Sequence, residues 1–111
     1  MLDAKLQIKP GQSVALVNNS FEPEIKAERV DVKLANVVIV FVISTKDFTK
    51  YKKVLLASAK RGATPWLAYP KAKQLGTHLN RDIIRDIAQT LNLQTVRQIA
   101  INETWSALRL K

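Results

Sequence analysis

The strongest constraint on the fold of this chain is an unbroken apolar run of seven residues, from Val37 to Ile43. The run is rich in β-branched residues and is bounded by Asn36 and Ser44, so it predicts a strand that is buried on both faces. Strands of this kind belong to parallel sheets that are covered by helices. Because ligands of such sheets bind at the carboxyl ends of the strands, the run also predicts where a site would lie.

Five further segments of the chain have strand patterns. They cover residues 13–18, 30–34, 65–69, 96–101 and 105–110. In residues 30–34 apolar and charged side chains alternate, which is typical of a strand with one solvent-facing side. The last two segments are separated by Asn102-Glu103-Thr104, and this spacing predicts an antiparallel hairpin. Between residues 19 and 28 the pattern is ambiguous, and Pro23 limits any helix there to a short one.

Two segments have the periodicity and the capping residues of helices. Ser44 followed by Asp47 resembles a capping box, and it predicts a helix over about residues 45–60. Asn80 predicts the N-cap of a second helix, and Asn92 can adopt the left-handed conformation that ends it. Because helices separate several of the strands, right-handed crossovers are expected.

The order of these elements predicts the fold class. We expect an α/β protein with a three-layer, Rossmann-like architecture and a mainly parallel sheet, to which the C-terminal hairpin adds antiparallel strands. A single Rossmann-like domain over residues 1–111 is expected, because 111 residues suit one domain and can bury a core.

The composition excludes several kinds of catalytic and metal site. The chain contains no cysteine and one histidine, His78. It therefore has no thiolate nucleophile, disulfide or cysteine-ligated zinc, and a Ser-His-Asp arrangement would depend on that one base. No cofactor and no metal site are predicted. Since no catalytic motif is recognisable, the sequence favours a non-enzyme but leaves enzymatic activity open.

Positive charge is concentrated in one part of the chain. The formal net charge is +9, and between residues 45 and 81 nine Lys and Arg residues accompany a single carboxylate, Asp47. On the predicted helix, one side opposite the apolar residues carries Lys46, Lys50, Lys53 and Lys60. This stripe predicts a surface for nucleic acid or another anionic partner. The alternative is an ordinary solvated helix surface, and no helix-turn-helix, RNA-binding aromatic motif or zinc finger accompanies the stripe.

A ligand-binding pocket at the carboxyl ends of the strands is the second candidate site. Its predicted lining residues are Asn18, Asn19, Ser44, Thr45, Pro70 and Lys71. Ser44 and Thr45 begin a helix whose free N–H groups favour an anion, and Lys71 adds a full charge. The alternative is that these residues only cap and connect the elements of the sheet, as the same positions do in every such fold.

Three ring side chains have both a functional and a structural interpretation. His78 could act as a general base, but a histidine in the polar loop 71–79 is usually just exposed. Trp66 and Trp105 could form a stacking surface or belong to the core.

Location and assembly can also be addressed from the sequence. The longest apolar run is too short to cross a bilayer and residues 1–5 lack a signal-peptide core, so no membrane association and a cytoplasmic location are expected. The terminal hairpin could form a homodimer through an exposed final strand, unless charges such as Arg109 and Lys111 prevent pairing.

With these residues placed, nearly the whole chain resembles a family of small bacterial proteins known as domain of unknown function 3052. The matching segments include Ile8-Lys9-Pro10-Gly11-Gln12, the apolar run 37–43 and Trp66-Leu67-Ala68-Tyr69-Pro70-Lys71. The most specific is Ala100-Ile101-Asn102-Glu103-Thr104-Trp105-Ser106-Ala107-Leu108-Arg109. The resemblance implies a Rossmann-like fold and lends no activity. Relatives often have a glycine after the Trp-Ser pair, where this chain has Ala107.

The order of elements is similar, more distantly, to the core of S-adenosylmethionine-dependent methyltransferases. In those proteins a glycine-rich loop follows the first strand, because the backbone must turn sharply close to the cofactor. Here the loop is Asn18-Asn19-Ser20-Phe21, without glycine. The resemblance therefore extends to the layout but not to cofactor binding.

Two functions from different classes follow. The favoured one is a non-catalytic, Rossmann-like binding module whose basic surface contacts an anionic partner. The alternative is a small-ligand or nucleotide-binding protein, or a degenerate methyltransferase-like enzyme, with its pocket at the strand ends.

Overall fold

The computed structural model describes residues 2–71 and 74–111 and contains one six-stranded sheet. The strands are β1 (Ser13–Val17), β2 (Glu28–Arg29), β3 (Val37–Phe41), β4 (Thr64–Pro70), β5 (Thr95–Ala100) and β6 (Trp105–Leu110). The helices are α1 (Leu2–Lys5), α2 (Thr45–Lys60) and α3 (Arg81–Thr90), and a 3-10 turn covers Gln74–Gly76. Of the predicted polar loop 71–79, Ala72 and Lys73 lie outside the described residues.

The sheet is mixed, and its strand order is β2-β1-β3-β4-β6-β5. β2, β1, β3 and β4 are parallel, whereas β6 is antiparallel to both β4 and β5. The prediction of a mainly parallel, three-layer Rossmann-like sheet is therefore wrong, because the C-terminal half is antiparallel. The physical reason lies in the connections. β1, β2 and β3 are joined without helices, and the tight turn after β5 returns the chain antiparallel.

β3 lies at the centre of the sheet, and the prediction of a strand buried on both faces is confirmed. All five residues of β3 are buried, because β1 and β4 flank the strand and both sheet faces are covered. Val38 and Val40 point to the face that is covered by α2 and α3, which we call the helical face. Val37, Ile39 and Phe41 point to the opposite face, which we call the loop face.

The helical face is covered by two amphipathic helices, as predicted. The side chains that they bury against the sheet include Phe48 and Leu55 of α2 and Ile84 and Ala88 of α3. Asn80 caps α3, since its Oδ1 accepts a hydrogen bond from the N–H of Ile83 at 2.9 Å. Asn92 has a φ of 60°, in the left-handed region that was predicted to end this helix.

The loop face is covered by the four-residue helix α1 and the segment 18–27 instead of a layer of long helices. Trp66 is fully buried there, and its Nε1 donates to the carbonyl of Leu6 at 3.1 Å. The carboxylate of Asp3 accepts hydrogen bonds of 2.9 to 3.1 Å from the N–H groups of Lys26 and Ala27. Single side chains therefore attach these irregular segments to the sheet and to each other.

The prediction of a strand over residues 30–34 is wrong, because these residues form a turn. The N–H of Leu34 donates to the carbonyl of Asp31 at 2.9 Å, and the N–H of Lys33 donates to the Asp31 carboxylate at 2.9 Å. An aspartate can satisfy the backbone locally in this way without a partner strand. The ambiguous segment 19–28 contains no helix, and β2 lies at its end.

The final strand does not lie at the edge of the sheet. β6 pairs with β4 on one side and with β5 on the other, so β5 is the edge strand. Its register shifts between Thr95 and Arg97, which marks a bulge near its start. Bulges and charged side chains both oppose pairing between sheet edges of different molecules. A dimer through the hairpin would therefore have to use β5, and the expectation that the last strand is exposed is wrong.

Candidate functional site

Asn18 holds the carboxyl ends of β1 and β3 together. Its φ is 61°, a left-handed conformation that asparagine adopts more readily than most residues. Its Nδ2 donates to the carbonyl of Phe41 at 2.9 Å, and the hydroxyl of Tyr51 donates to its Oδ1 at 3.4 Å. Both ends of this carboxamide are therefore used inside the protein.

Ser44 caps α2, as predicted. Its Oγ accepts a hydrogen bond from the N–H of Asp47 at 3.2 Å, and the Asp47 carboxylate accepts one from the N–H of Ile43 at 2.9 Å. This reciprocal pair satisfies backbone donors at the start of the helix. The hydroxyl of Thr77 donates to the carbonyl of Ile43 at 2.5 Å and ties a distant loop to the same turn. Thr45, the first residue of α2, is exposed.

The other predicted strand-end residues make separate contacts. Asn19 turns toward its own loop, where its Nδ2 donates to the carbonyl of Phe21 at 2.9 Å. Pro70 is buried at the end of β4. The N–H of Lys71 donates to the carbonyl of Thr104 at 2.7 Å, next to the terminal hairpin. Four of the six predicted residues, Asn18, Asn19, Ser44 and Lys71, thus form hydrogen bonds in different parts of the molecule.

An aromatic cluster fills the loop face beside the strand ends. The ring centroids of Phe21, Phe41 and Trp105 are 5.4 to 5.7 Å apart. Phe21 belongs to the segment that stands in the position of the methyltransferase glycine-rich loop, and its ring packs on the last residue of β3. Trp66 and Trp105 are both buried, so they belong to the core rather than to a stacking surface.

Two cavities lie elsewhere on the molecule, and none of the six predicted strand-end residues lines them. The larger, of about 920 Å³, lies on the loop face between α1 and residues 21–26. Charged groups of both signs line it, and two of them, Glu22 and Arg29, form an ion pair of 2.9 Å. The smaller, of about 480 Å³, lies between α2 and the turn 31–34. It includes Val32 and Val54, and its rim is basic.

Two titratable residues, His78 and Tyr69, lie outside these two cavities. His78 is exposed. Burial raises the pKa of the Tyr69 hydroxyl, although the nearby charge of Arg81 opposes the shift. The same hydroxyl accepts a hydrogen bond from Nε2 of Gln98 at 3.3 Å, so it links β4 to the edge strand.

Residues 2–71 and 74–111 contain neither a metal-ligating cluster nor a membrane-crossing helix. In that part of the chain, no group of three or more His, Asp or Glu side chains is placed to hold a metal ion. No helix within these limits has both the length and the apolar character that crossing a bilayer requires.

The basic surface of α2 has the arrangement that the sequence predicted. Lys46, Lys50, Lys53 and Lys60 are exposed, and helical geometry places them within an arc of about 80° along roughly 21 Å of the helix. We call these four residues the lysine stripe. Phe48 and Leu55 lie on the opposite side of α2, against the sheet.

No carboxylate offsets the lysine stripe among the described residues. The ion pairs of the described residues are Arg29 with Glu22 and Arg85 with Asp82, and neither involves a lysine of the stripe. Asp47 is the acidic residue of α2, and its carboxylate is bonded to the backbone before the helix. The lysines of the stripe therefore form no ion pair with the described residues, and Nζ of Lys50 lies 5.4 Å from the centroid of the Tyr51 ring.

Two further basic residues, Lys33 and Arg61, lie beside this surface, although the sequence pattern did not predict them as part of it. Lys33 and Arg61 join Lys53 around the smaller cavity. The Arg61 guanidinium is held in place, because Nη2 donates to the carbonyls of Val32 and Ala35 at 2.7 Å each. The sequence contains one signal for the position of Lys33. Asp31 lies two residues before Lys33, and an aspartate at that position favours the observed turn.

No protein-family model matches this chain, and no curated protein is significantly similar to it. The fold and the arrangement of charges therefore carry the functional argument.

Proposed function

We propose that this protein is a non-catalytic binding module that contacts a polyanion, such as a nucleic-acid strand, through the lysine stripe of α2. The observation that carries the proposal is the row of exposed lysines without an opposing carboxylate among the described residues. A row of cations along one helix suits a partner with regularly repeated negative charges. Lys33 and Arg61 widen the surface beside Lys53.

The electrostatic mechanism gives the proposal a measurable signature. Each phosphate that a lysine neutralises releases condensed counterions, so the logarithm of the binding constant falls linearly with the logarithm of the salt concentration. If all four lysines of the stripe contact phosphates, the slope they contribute is about −3.6 on duplex DNA and about −2.8 on a single strand. Contacts of this kind position a partner without reading its sequence.

Fluorescence anisotropy with labelled single-stranded RNA and duplex DNA, over a series of salt concentrations, tests the proposal. We expect salt-sensitive binding by the natural chain. Replacing all four lysines of the stripe with glutamine should weaken binding and reduce the slope by about 3 to 4 for duplex DNA. The matched control removes four exposed lysines that lie outside α2: Lys5, Lys9, Lys26 and Lys111.

The control separates a specific surface from general charge attraction. Both variants lower the net charge equally, but only the stripe variant should lose most of the binding. An equal loss in both variants would show that the total charge, and not the stripe, attracts the polyanion. Absence of binding at low salt would exclude nucleic acid as the partner.

The family, the location and an alternative function are further predictions from the sequence. We also propose, from the motif over residues 100–109 alone, that the chain belongs to the bacterial domain of unknown function 3052 family. A cytoplasmic location is proposed with it, since that location fits a partner of the nucleic-acid class. The alternative, a small-ligand, nucleotide-binding or degenerate methyltransferase-like protein, would need the strand ends. A thermal-shift series with S-adenosylmethionine and nucleotides tests it, since a ligand of the folded state raises the Tm.

A homodimer through the hairpin is the remaining expectation about partners. It would join the β5 strands of two molecules, and Arg97 together with the bulge beside it opposes such pairing. Sedimentation of the natural chain and of an Arg97→Val variant tests this expectation. Self-association only in the variant would show that the edge is protected.

A further inference from the structure

Two arginines lie directly opposite each other on β5 and β6. In the strand register Arg97 is the partner of Arg109, and Arg109 is the partner of Trp66 on its other side. Side chains paired in this way on one face of a sheet lie about 5 Å apart at their Cβ atoms, and like charges in such a pair are destabilising. A like-charged pair that persists in a fold therefore requires an explanation.

Both arginines project from the loop face. Ile99, two residues after Arg97, and Ala107, two residues before Arg109, pack in the apolar cluster of that face. Since side chains two residues apart on a regular strand share a face, the guanidinium groups lie on the same side of the sheet. The bulge between Thr95 and Arg97 sets the register that places Arg97 opposite Arg109.

The charge of this pair is not neutralised by the described residues. Arg109 is half-buried, and its Nη1 donates to Oε1 of Gln7, which is an uncharged acceptor. Its Nε is buried without a hydrogen-bond acceptor. Arg97 is exposed, and the ion pairs of the described residues involve other arginines.

We propose that Arg97 and Arg109 form a binding site for a small oxyanion of the phosphate type, with Gln7 positioning the Arg109 guanidinium. Guanidinium groups at two directly paired positions carry a combined charge of +2, and the N–H groups of Arg97 and those of Arg109 that neither bond Gln7 nor are buried can donate to one anion. A tetrahedral dianion can accept hydrogen bonds from both groups and cancel both charges, whereas one guanidinium already satisfies both oxygens of a carboxylate. The buried ring of Trp66 beside Arg109 lowers the local dielectric constant and strengthens the attraction.

This site is independent of the lysine stripe. The stripe lies on α2, which covers the helical face, and the arginine pair lies on the loop face. Binding of a phosphate group between the arginines would also remove the repulsion that the pair carries in its absence. The site therefore goes beyond the proposed contact with a polyanion, and each can fail without the other.

Titration with inorganic phosphate, followed by ¹H–¹⁵N correlation spectra of the natural chain, tests the site. Phosphate should replace chloride at constant ionic strength, because phosphate also stabilises folded proteins without binding to them. We expect saturable shifts that centre on Gln7, Arg97 and Arg109. Shifts that do not saturate, or that centre on α2, would overturn the proposal.

Variants identify the residues responsible. Arg97→Gln changes an exposed residue, so the fold should survive, and we expect phosphate affinity to fall at least about tenfold. Arg81→Gln is the matched control, since it removes an exposed arginine from α3 on the helical face. Arg109→Lys retains the charge but loses the planar donor geometry, and it should weaken binding as well. Equal losses in the Arg97→Gln and Arg81→Gln variants would overturn the proposal.

Two further ligands, acetate and phosphoserine, test which kind of anion the site binds. Acetate should bind at least about tenfold more weakly than phosphate, because a monoanion with two oxygens leaves one guanidinium unpaired. Equal binding of acetate and phosphate would contradict the assignment to a dianion. Phosphoserine identifies the source of the ligand, since tighter binding than inorganic phosphate supports a phosphomonoester and weaker binding supports the free ion.

Discussion

The two faces of the sheet are covered in different ways. On the helical face, α2 and α3 bury continuous apolar sides that comprise many residues each. On the loop face, α1 and residues 18–27 are attached by a few individual contacts, among them those of Asp3 and Trp66. Both covers bury apolar side chains, but the irregular loop cover is fixed in addition by specific hydrogen bonds from and to backbone groups.

The two faces should therefore tolerate different substitutions. Burial is distributed over many side chains, so a single polar change on the outside of α2 costs little and that surface is free to carry charge. An irregular segment is held by fewer contacts. Loss of one hydrogen bond there therefore leaves the other group of that bond exposed or without a hydrogen-bond partner. The following four substitutions measure the contrast, beginning with the largest expected effect.

Leu55→Ala should be the most destabilising change. Leu55 is fully buried between α2 and the sheet, and truncating a buried leucine lowers the free energy of unfolding by about 2–5 kcal/mol through lost burial and cavity formation. Urea unfolding measures the change. Leu56→Ala is the control, because Leu56 is only partly buried, and it should cost clearly less. Equal costs would contradict the packing described for α2.

Trp66→Phe should have the next largest effect, on the loop face. The change removes the Nε1 donor and leaves the Leu6 carbonyl without its partner, which should lower the free energy of unfolding by about 1–3 kcal/mol. Hydrogen exchange should also become faster in residues 2–8. Trp105→Phe is the control, because Trp105 is buried and its ring donates no hydrogen bond to a residue in the ranges 2–71 and 74–111. Unchanged exchange in Trp66→Phe would show that this bond does not hold the segment.

Ser44→Ala tests whether a predicted site residue has only a capping role. Loss of the hydrogen bond to the N–H of Asp47 should lower the free energy of unfolding by about 1 kcal/mol. Thr45→Ala, at the exposed neighbouring position, should cost less. Stability that does not change in Ser44→Ala would argue against the cap and would favour a different role for this hydroxyl.

Asp3→Asn should have the smallest effect and one that depends on pH. Burial raises the pKa of the Asp3 carboxyl, but hydrogen bonds from the N–H groups of Lys26 and Ala27 outweigh it and hold the pKa below 3.8. A carboxylate with a depressed folded-state pKa contributes stability that is present above its unfolded value and lost as the pH falls through the folded value.

We therefore expect the natural chain to be more stable than Asp3→Asn at about pH 6, and this advantage to decrease below about pH 4. Urea unfolding at several pH values measures the difference. Asp86→Asn removes the same charge from the exposed side of α3 and serves as the control. An advantage over Asp3→Asn that persists to about pH 2 would contradict the stabilising role of the carboxylate.

The same contrast explains how much of the fold could be predicted from the sequence. β3, α2, α3 and the terminal hairpin were predicted, because periodicity and capping residues act locally. The position of β6 between β4 and β5 was not predicted, because the pairing of β4 with β6 joins segments that are distant in the sequence. The turn at Asp31 was missed because an alternating pattern also suits a strand, and a local hydrogen bond decided between the two structures.

The candidate sites divide in a similar way. The lysine stripe could be predicted because helical spacing alone puts its residues on one side. The arginine pair could not, because Arg97 and Arg109 meet only through the register of β5 and β6. Asn18 was placed correctly at the end of a strand, but its bond to Phe41 requires knowledge of the neighbouring strand.

The attachment of the first residues to the last strands has a consequence for synthesis in the cell. Leu6 accepts a bond from a residue 60 positions later, and Gln7 accepts one from a residue 102 positions later. A chain emerging from the ribosome cannot complete these contacts until residue 109 is outside the exit tunnel. The apolar side chains of Leu6 and Ile8, which are buried on the loop face of the folded protein, therefore lack their full cover while the following hundred residues are being made, and such transiently exposed apolar surface is prone to aggregation.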